Sequence, residues 1–234
     1  MSLARRLWAV SLASVLLLAA CSSESGDDVN LTALTVDALR GAVGSRGDAP
    51  APPVVVTPQM LAETKVAALQ VNPEMRGGSD FLKRVAVRND SALGQIEIWN
   101  SSDNAQIFLR NGVVAATRGV GRDIVSADVS LSVRAVQNRS NLQGIKRLNV
   151  SDGDLTTTEY VFECVVRNQG VESIRVVNQV FSATHLRETC VSDRADARQV
   201  VNDYWVQGTT GLVRKSRQWM GPLSGYFEIV LLKN

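Results

Sequence analysis

The chain has 234 residues, 45% of them apolar and 21% charged, which is the usage of a globular protein with enough apolar side chains for a core and excludes a wholly disordered or fibrous chain. The formal net charge is +2, and two of the positive charges, Arg5 and Arg6, lie in a segment expected to be removed. A near-neutral remainder with no basic stripe has no electrostatic footprint for nucleic acid.

Arg5 and Arg6 form a short positive region. Leu7 to Ala20 then carries no charge and is rich in Leu, Ala and Val. A bilayer-spanning helix needs about 20 such residues, so this run has the length of a signal-peptide hydrophobic region. It ends Leu18-Ala19-Ala20-Cys21, which resembles the lipobox of bacterial lipoproteins. Small residues admit the chain to a peptidase cleft, and the Cys21 thiol is the nucleophile that accepts diacylglycerol. The expectation is export, cleavage before Cys21 and tethering to a membrane by palmitate-type acyl chains, more than one of which makes anchoring stable. Ser22, not Asp, follows the cysteine, and by the same resemblance that favours the outer membrane. Residues 1–20 therefore read as a signal peptide and 21–30 as a lipidated flexible tether, since Ser22 to Asn30 is polar and turn-rich. Residues 31–234 read as a single β-rich periplasmic domain.

Within that domain Leu31, Leu34, Val36, Leu39 and Val43 have helical spacing, and Gly44 to Pro53 reads as a loop. Val54 to Thr57 reads as a short strand. Thr57 or Pro58 starts a helical turn through Met60, Leu61 and Glu63. From Arg84 onward the pattern is β. Val85 and Val87, the turn residues Asn89-Asp90-Ser91, then Ile96 and Ile98 form one hairpin signature. Asn111-Gly112 between Gln106–Arg110 and Val113–Thr117 is another, because a type I′ turn needs positive φ at both central residues. Asp123 to Leu131 is expected to hold a helical turn. Tyr160–Val166 and Val171–Ala183, joined at Asn168-Gln169-Gly170, read as a long hairpin. Asn202–Gln207 and Leu212–Met220, joined through Gly208–Gly211, read as a further hairpin, and Tyr226–Leu232 as a last strand. Strands that succeed one another without regular helical spacers give a mainly β fold, an antiparallel barrel or sandwich with a few short helices.

Two cysteines remain beside Cys21. Cys164 and Cys190, an even pair in an exported chain, read as a disulfide, with two buried free thiols as the alternative. A tight hairpin at Gly170 would carry Cys190 far past Cys164, so the bond requires the chain to bend back after about Ala183 or to wrap a barrel.

The sequence offers little catalytic chemistry. His185 is the single histidine. Ser182 and Asp193 could flank it, but no Gly-x-Ser-x-Gly elbow is present. One His and two oxidised Cys leave only carboxylates as metal ligands, and no metal or other cofactor is expected. Carboxylates that could form a glycosidase pair are Asp123, Asp128, Glu159, Glu163, Glu188 and Glu228. The aromatic residues Tyr204, Trp205, Trp219 and Tyr226, flanked by Arg214, Lys215, Arg217 and Gln218, could instead present flat faces and donors to sugar rings, with core packing as the alternative for most of them. Arg118 invites the same two readings, as a binding residue or as a partner of Asp123 or Asp128.

Three segments, taken with the Cys21 motif, resemble the YjbF family of lipoproteins, related to the group 4 capsule lipoproteins. The first runs Asn111-Gly112-Val113-Val114-Ala115-Ala116-Thr117-Arg118-Gly119-Val120-Gly121 and continues to Asp123 and Ser126-Ala127-Asp128. The second joins the Cys164 strand to Glu188-Thr189-Cys190. The third is Asn202-Asp203-Tyr204-Trp205-Val206 with Lys215-Ser216-Arg217-Gln218-Trp219, Gly221-Pro222 and Gly225-Tyr226. The resemblance implies an outer-membrane lipoprotein facing the periplasm, with a β-barrel-like fold and a role in polysaccharide production or export alongside other envelope proteins. It carries over no catalytic residue. The leading expectation is a non-enzymatic accessory whose candidate polymer- or partner-binding residues are Arg118, Tyr204, Trp205, Arg217, Trp219 and Tyr226. The alternatives are a polysaccharide-modifying hydrolase and a purely structural envelope lipoprotein.

Overall fold

A computed structural model describes residues 55–153 and 156–234. The signal segment, Cys21, the tether and the expected helix at 31–43 lie outside the described residues. The chain runs α1 (Pro58–Glu63), β1 (Ala68–Pro73), β2 (Asp80–Arg88), β3 (Ile96–Asn100), β4 (Gln106–Arg110), β5 (Val113–Arg118), β6 (Ile124–Asp128) and α2 (Ser130–Asn138). It continues through β7 (Leu142–Gly153), β8 (Thr156–Val176), β9 (Gln179–Val191), a 3-10 turn (Ala195–Ala197), β10 (Gln199–Gln207), β11 (Val213–Trp219) and β12 (Tyr226–Lys233).

All neighbours pair antiparallel in the order β5-β4-β3-β2-β1-β12-β11-β10-β9-β8-β7-β6, a nearly closed barrel of twelve strands. The first strand pairs with the last, Val71 opposite Ile229. The seam falls between the consecutive strands β5 and β6, where a side chain bridges the gap. Thr117 Oγ1 accepts from the Ile124 N–H at 2.9 Å and donates to Asp123 Oδ1 at 3.0 Å. No described helix is long and apolar enough to cross a membrane.

Alternation along the strands sorts side chains to two faces. Leu69, Leu82, Trp99, Leu109, Phe162 and Ile229 are among those that fill the interior. α2 lays Val133, Ala135 and Val136 against Val166, Leu186, Tyr204 and Val206 from the inner faces of β8, β9 and β10. A separate cluster covers the outside of β1, β2 and β12, where Val56 and the flanking Met60 and Leu61 of α1 meet Val176 and Phe181 from the far end of the β8–β9 hairpin.

Several turns follow from local chemistry. Asn111 and Gly112 take φ of 48° and 80°, the double positive-φ turn expected at that dipeptide. A Cβ at Gly112 would stand 2.5 Å from Val213 Cβ, so the glycine also lets this turn close onto β11. α1 begins where Thr57 Oγ1 accepts from the Met60 N–H at 3.2 Å, with Pro58 at the first helical position. This capping pulls Thr57 out of the strand expected for Val54–Thr57, and Val55 to Thr57 is irregular. The helical turn expected at Asp123–Leu131 is instead β6 followed by the start of α2, since Asp128 Oδ1 accepts from the Ser130 N–H at 3.1 Å and turns the chain there.

The larger correction concerns Gly170. Asn168-Gln169-Gly170 has turn chemistry, but it forms a bulge inside β8, with Gly170 at φ 104° and its N–H donating to Asn168 Oδ1 at 2.8 Å. An extra residue in one strand is absorbed this way. The reversal comes later, at Val177 and Asn178, so β8 is one strand of 21 residues. That register places Cys164 directly opposite Cys190, and the two are joined as a disulfide with Cα atoms 4.0 Å apart.

Candidate functional site

Strands β9 to β12 present a polar and aromatic strip on the barrel exterior. Register places Trp205 between His185 on β9 and Lys215 on β11, and Asp203 between Arg187 and Arg217. The His185 ring stacks on Trp205 with centroids 4.7 Å apart and planes 11° from parallel. Lys215 Nζ lies 5.5 Å from the Trp205 ring centroid, and Trp205 Nε1 donates to Glu172. Asp203 is almost covered. Its Oδ1 meets His185 Nε2 at 2.7 Å and accepts from Arg187 Nε at 2.8 Å. Arg217 lies over the Tyr226 ring at 3.6 Å and grips Glu74 with both Nε and Nη2, at 2.6 and 2.7 Å. Lys215 pairs with Glu228. The three cations of the strip are thus held by carboxylates while about a third to a half of each side chain stays in solvent, 50% for Arg187, 32% for Lys215 and 34% for Arg217. Hydrogen bonding to Asp203 and Glu74 holds the Arg187 and Arg217 guanidinium groups above their ordinary pKa, so they remain cationic. Such a surface offers partly exposed aromatic side chains and oriented charges to a polar partner.

The opposite face of the same strands holds a buried carboxylate. Glu188 is 0% exposed. It accepts from Lys146 Nζ on β7 at 2.8 Å, Asn202 Nδ2 at 2.7 Å, Tyr204 OH at 3.1 Å and the Ser132 hydroxyl of α2. Burial opposes its charge, but the Lys146 ammonium and the surrounding donors outweigh that and hold the carboxyl below its ordinary range. Burial, and then the Glu188 charge, push the Tyr204 phenol well above its ordinary range. Asn202 Oδ1 also accepts from the Trp219 N–H at 2.8 Å, tying β10 to β11. Cys164 and Cys190 lie beside Glu188, but their sulfurs are bonded to each other and leave one carboxylate, already paired, as a possible metal ligand.

Residues 29–232 match the family described as Group 4 capsule polysaccharide lipoprotein gfcB, YjbF. The chain belongs to the YjbF family. A YjbF-family chain is a lipoprotein linked to capsule polysaccharide production. A solved structure with the same fold is that of the hypothetical lipoprotein YmcC from Escherichia coli K12. It is 19% identical in sequence, with a TM-score of 0.66, and the match covers 85% of this chain and 95% of that one. No curated protein matches the chain.

In this YjbF-family barrel the six candidate binding residues separate. Trp205, Arg217 and Tyr226 come together on the outer strip. Tyr204 points inward to Glu188, and Trp219 packs edge-on against Tyr160 and Phe162, 5.5 and 5.7 Å between centroids, so neither presents a face to solvent. Arg118 is exposed at the end of β5, away from the strip, and pairs with neither Asp123 nor Asp128. Asp123 instead accepts from the Gly119 and Val120 N–H groups at 2.8 and 3.0 Å. His185 pairs with Asp203 and Glu172, not with Ser182 or Asp193. His185, Arg187 and Asp203 belong to the strip although sequence reasoning did not place them there. The available signal was parity, since each sits one position from an inward residue of β9 or β10.

Proposed function

We propose that this protein is a non-enzymatic accessory of capsule-type polysaccharide production or export, lipid-anchored through Cys21 at the outer membrane and facing the periplasm. The observation that carries the reading is the separation of the two faces of β9 to β12, in a chain of a capsule lipoprotein family. The inward carboxylate is enclosed by four donors and holds strands together. The outward strip leaves Trp205, Arg217 and Tyr226 available to another envelope protein or to the polymer. Aromatic rings with oriented donors at a partly exposed site suit both kinds of partner. Most of the candidate carboxylates are also occupied in ways that support this reading. Glu228 pairs with Lys215, Glu159 with Arg147, and Asp128 accepts from Ser130.

The test compares cells whose only copy is wild type, Cys21→Ala, Trp205→Ala with Arg217→Ala, or single carboxylate-to-amide variants. Secreted polymer and membrane fractionation are measured together. The expected result is release from the membrane and lost output for Cys21→Ala, lost output with normal fractionation for the strip variant, and normal output for Asp123→Asn, Glu163→Gln and Glu228→Gln. Loss of output from a single amide variant that still folds would favour a hydrolase. Normal output in every variant would leave a structural envelope role.

A further inference from the structure

We propose that the barrel mouth between the β4–β5 and β10–β11 turns binds one neutral sugar ring. A cavity of about 200 Å³ opens there, floored by apolar side chains including Leu109, Ile229 and Leu231, with Trp99 beneath. That volume falls below the roughly 300–1,000 Å³ of drug-sized sites and suits a single small ring. Its rim side chains are polar and uncharged, with Gln95, Asn111, Thr210 and Asn234 around the opening. An apolar floor with a few placed polar groups is the usual form of a small-molecule site. It matches the C–H face and hydroxyl edge of a pyranose.

The polar groups are set before any ligand arrives. Asn111 is fixed by its positive φ and by Oδ1 accepting from the Gln95 N–H at 3.2 Å. Its Nδ2 donates to no described residue, and neither does the side-chain amide of Gln95. A planar amide donates and accepts side by side, which suits two adjacent hydroxyls. Glu97, on the cavity wall, is held by Arg84 Nη1 at 2.8 Å and by Trp99 Nε1 at 3.2 Å, and Arg84 also donates to Asn234 Oδ1 at 2.9 Å. Glu97 is the one ionised side chain of the lining, and the adjacent Arg84 is committed to it and to Asn234. A sugar acid would meet a carboxylate, and beside it a guanidinium already engaged by that carboxylate and by Asn234, so a neutral ring is favoured over a uronate. The site deepens the proposed role, on which it rests only for the source of the sugar.

The experiment is saturation-transfer NMR on the full mature chain in a detergent without a sugar headgroup. The probes are glucose, galactose and N-acetylglucosamine, with glucuronate as the anionic comparison. Transfer to at least one neutral sugar is expected at millimolar concentration, with a signal for glucuronate about fivefold weaker or less. Gln95→Ala, at an exposed position, and Leu212→Arg, which places a bulky side chain at the cavity wall, are each expected to cut the neutral-sugar signal by about fivefold or more, with unchanged thermal unfolding for Gln95→Ala. No transfer to any neutral sugar at tens of millimolar, or transfer unaffected by both variants, overturns the site. Polymer output from a deletion strain separates this from the role itself. Lost output with no sugar transfer overturns the site alone, whereas normal output with transfer leaves the site standing and overturns the role.

Discussion

Two carboxylates one strand apart, Glu188 on the inside of β9 and Asp203 on the outside of β10, have the same chemistry and opposite consequences. Glu188 draws its partners from α2, β7 and β10, with Ser132 and Lys146 lying 56 and 42 residues away in sequence. Asp203 draws His185 and Arg187 from the adjacent strand, 18 and 16 residues away. The first network ties together elements that would otherwise drift apart, and no solvent reaches it. The second orients Arg187, which remains half in water, beside a mostly covered His185. A paired carboxylate therefore marks a structural tie or a recognition surface according to which face of the sheet it occupies.

Removing the counter-charge of Glu188 tests this difference most severely. Lys146→Met leaves a buried carboxylate without its cation, and a loss of roughly 3–5 kcal/mol in denaturant-measured stability is expected. The pH dependence of the wild type follows from the same pair. The folded-state pKa of Glu188 lies below the ordinary 4.5. Its contribution is therefore complete above that value and is lost as the pH falls through the lower folded one. Lys146→Met should flatten this acid limb of the stability curve, and an unchanged limb would mean that Glu188 is not its source.

Breaking the neighbouring disulfide with Cys164→Ser and Cys190→Ser together is expected to lower stability by about 3.5 kcal/mol, on a chain-entropy basis for a sequence separation of 26. Thermal unfolding with and without reductant checks it, since reductant should destabilise the wild type and leave the double variant unmoved. Tyr204→Phe removes one donor to a charged acceptor and should cost about 1.5–3 kcal/mol. On the outer face, Arg217→Ala breaks a half-exposed ion pair and should cost less than about 1 kcal/mol. A stability loss at Arg217 as large as that at Lys146 would erase the distinction between the two faces.

How far the sequence disclosed this arrangement depends on whether the signal was local. The Asn111-Gly112 turn, the β10–β11 hairpin and the last strand could all be read, because turn chemistry and alternation reside within a few residues. The register of β8 and β9 could not. Asn168-Gln169-Gly170 carries the chemistry of a turn, and only the tertiary pairing makes it a bulge. Tyr204-Trp205 was visible as an aromatic pair, and alternation requires the two rings to face opposite ways. The preceding Asn202-Asp203 is polar on both faces, however, so nothing local says which ring goes in. Glu188 stands where an apolar residue would ordinarily be. Its partners are too distant for any window of sequence to reveal that the position is satisfied.

The pairing of β1 with β12 also sets an order on how the barrel can form. Residues 68–73 are hydrogen-bonded on one side by β2, their immediate neighbour, and on the other by residues 227–233. Pairing across so long a stretch of chain carries a loop-closure cost and makes folding slow. During synthesis β1 must keep one edge open until β12 (Tyr226–Lys233) has been made, so the cylinder cannot close on a shorter nascent chain. A chain cut before Tyr226 would leave one edge of β1 and one edge of β11 unpaired, and its fate should be aggregation or proteolysis in place of a smaller stable barrel.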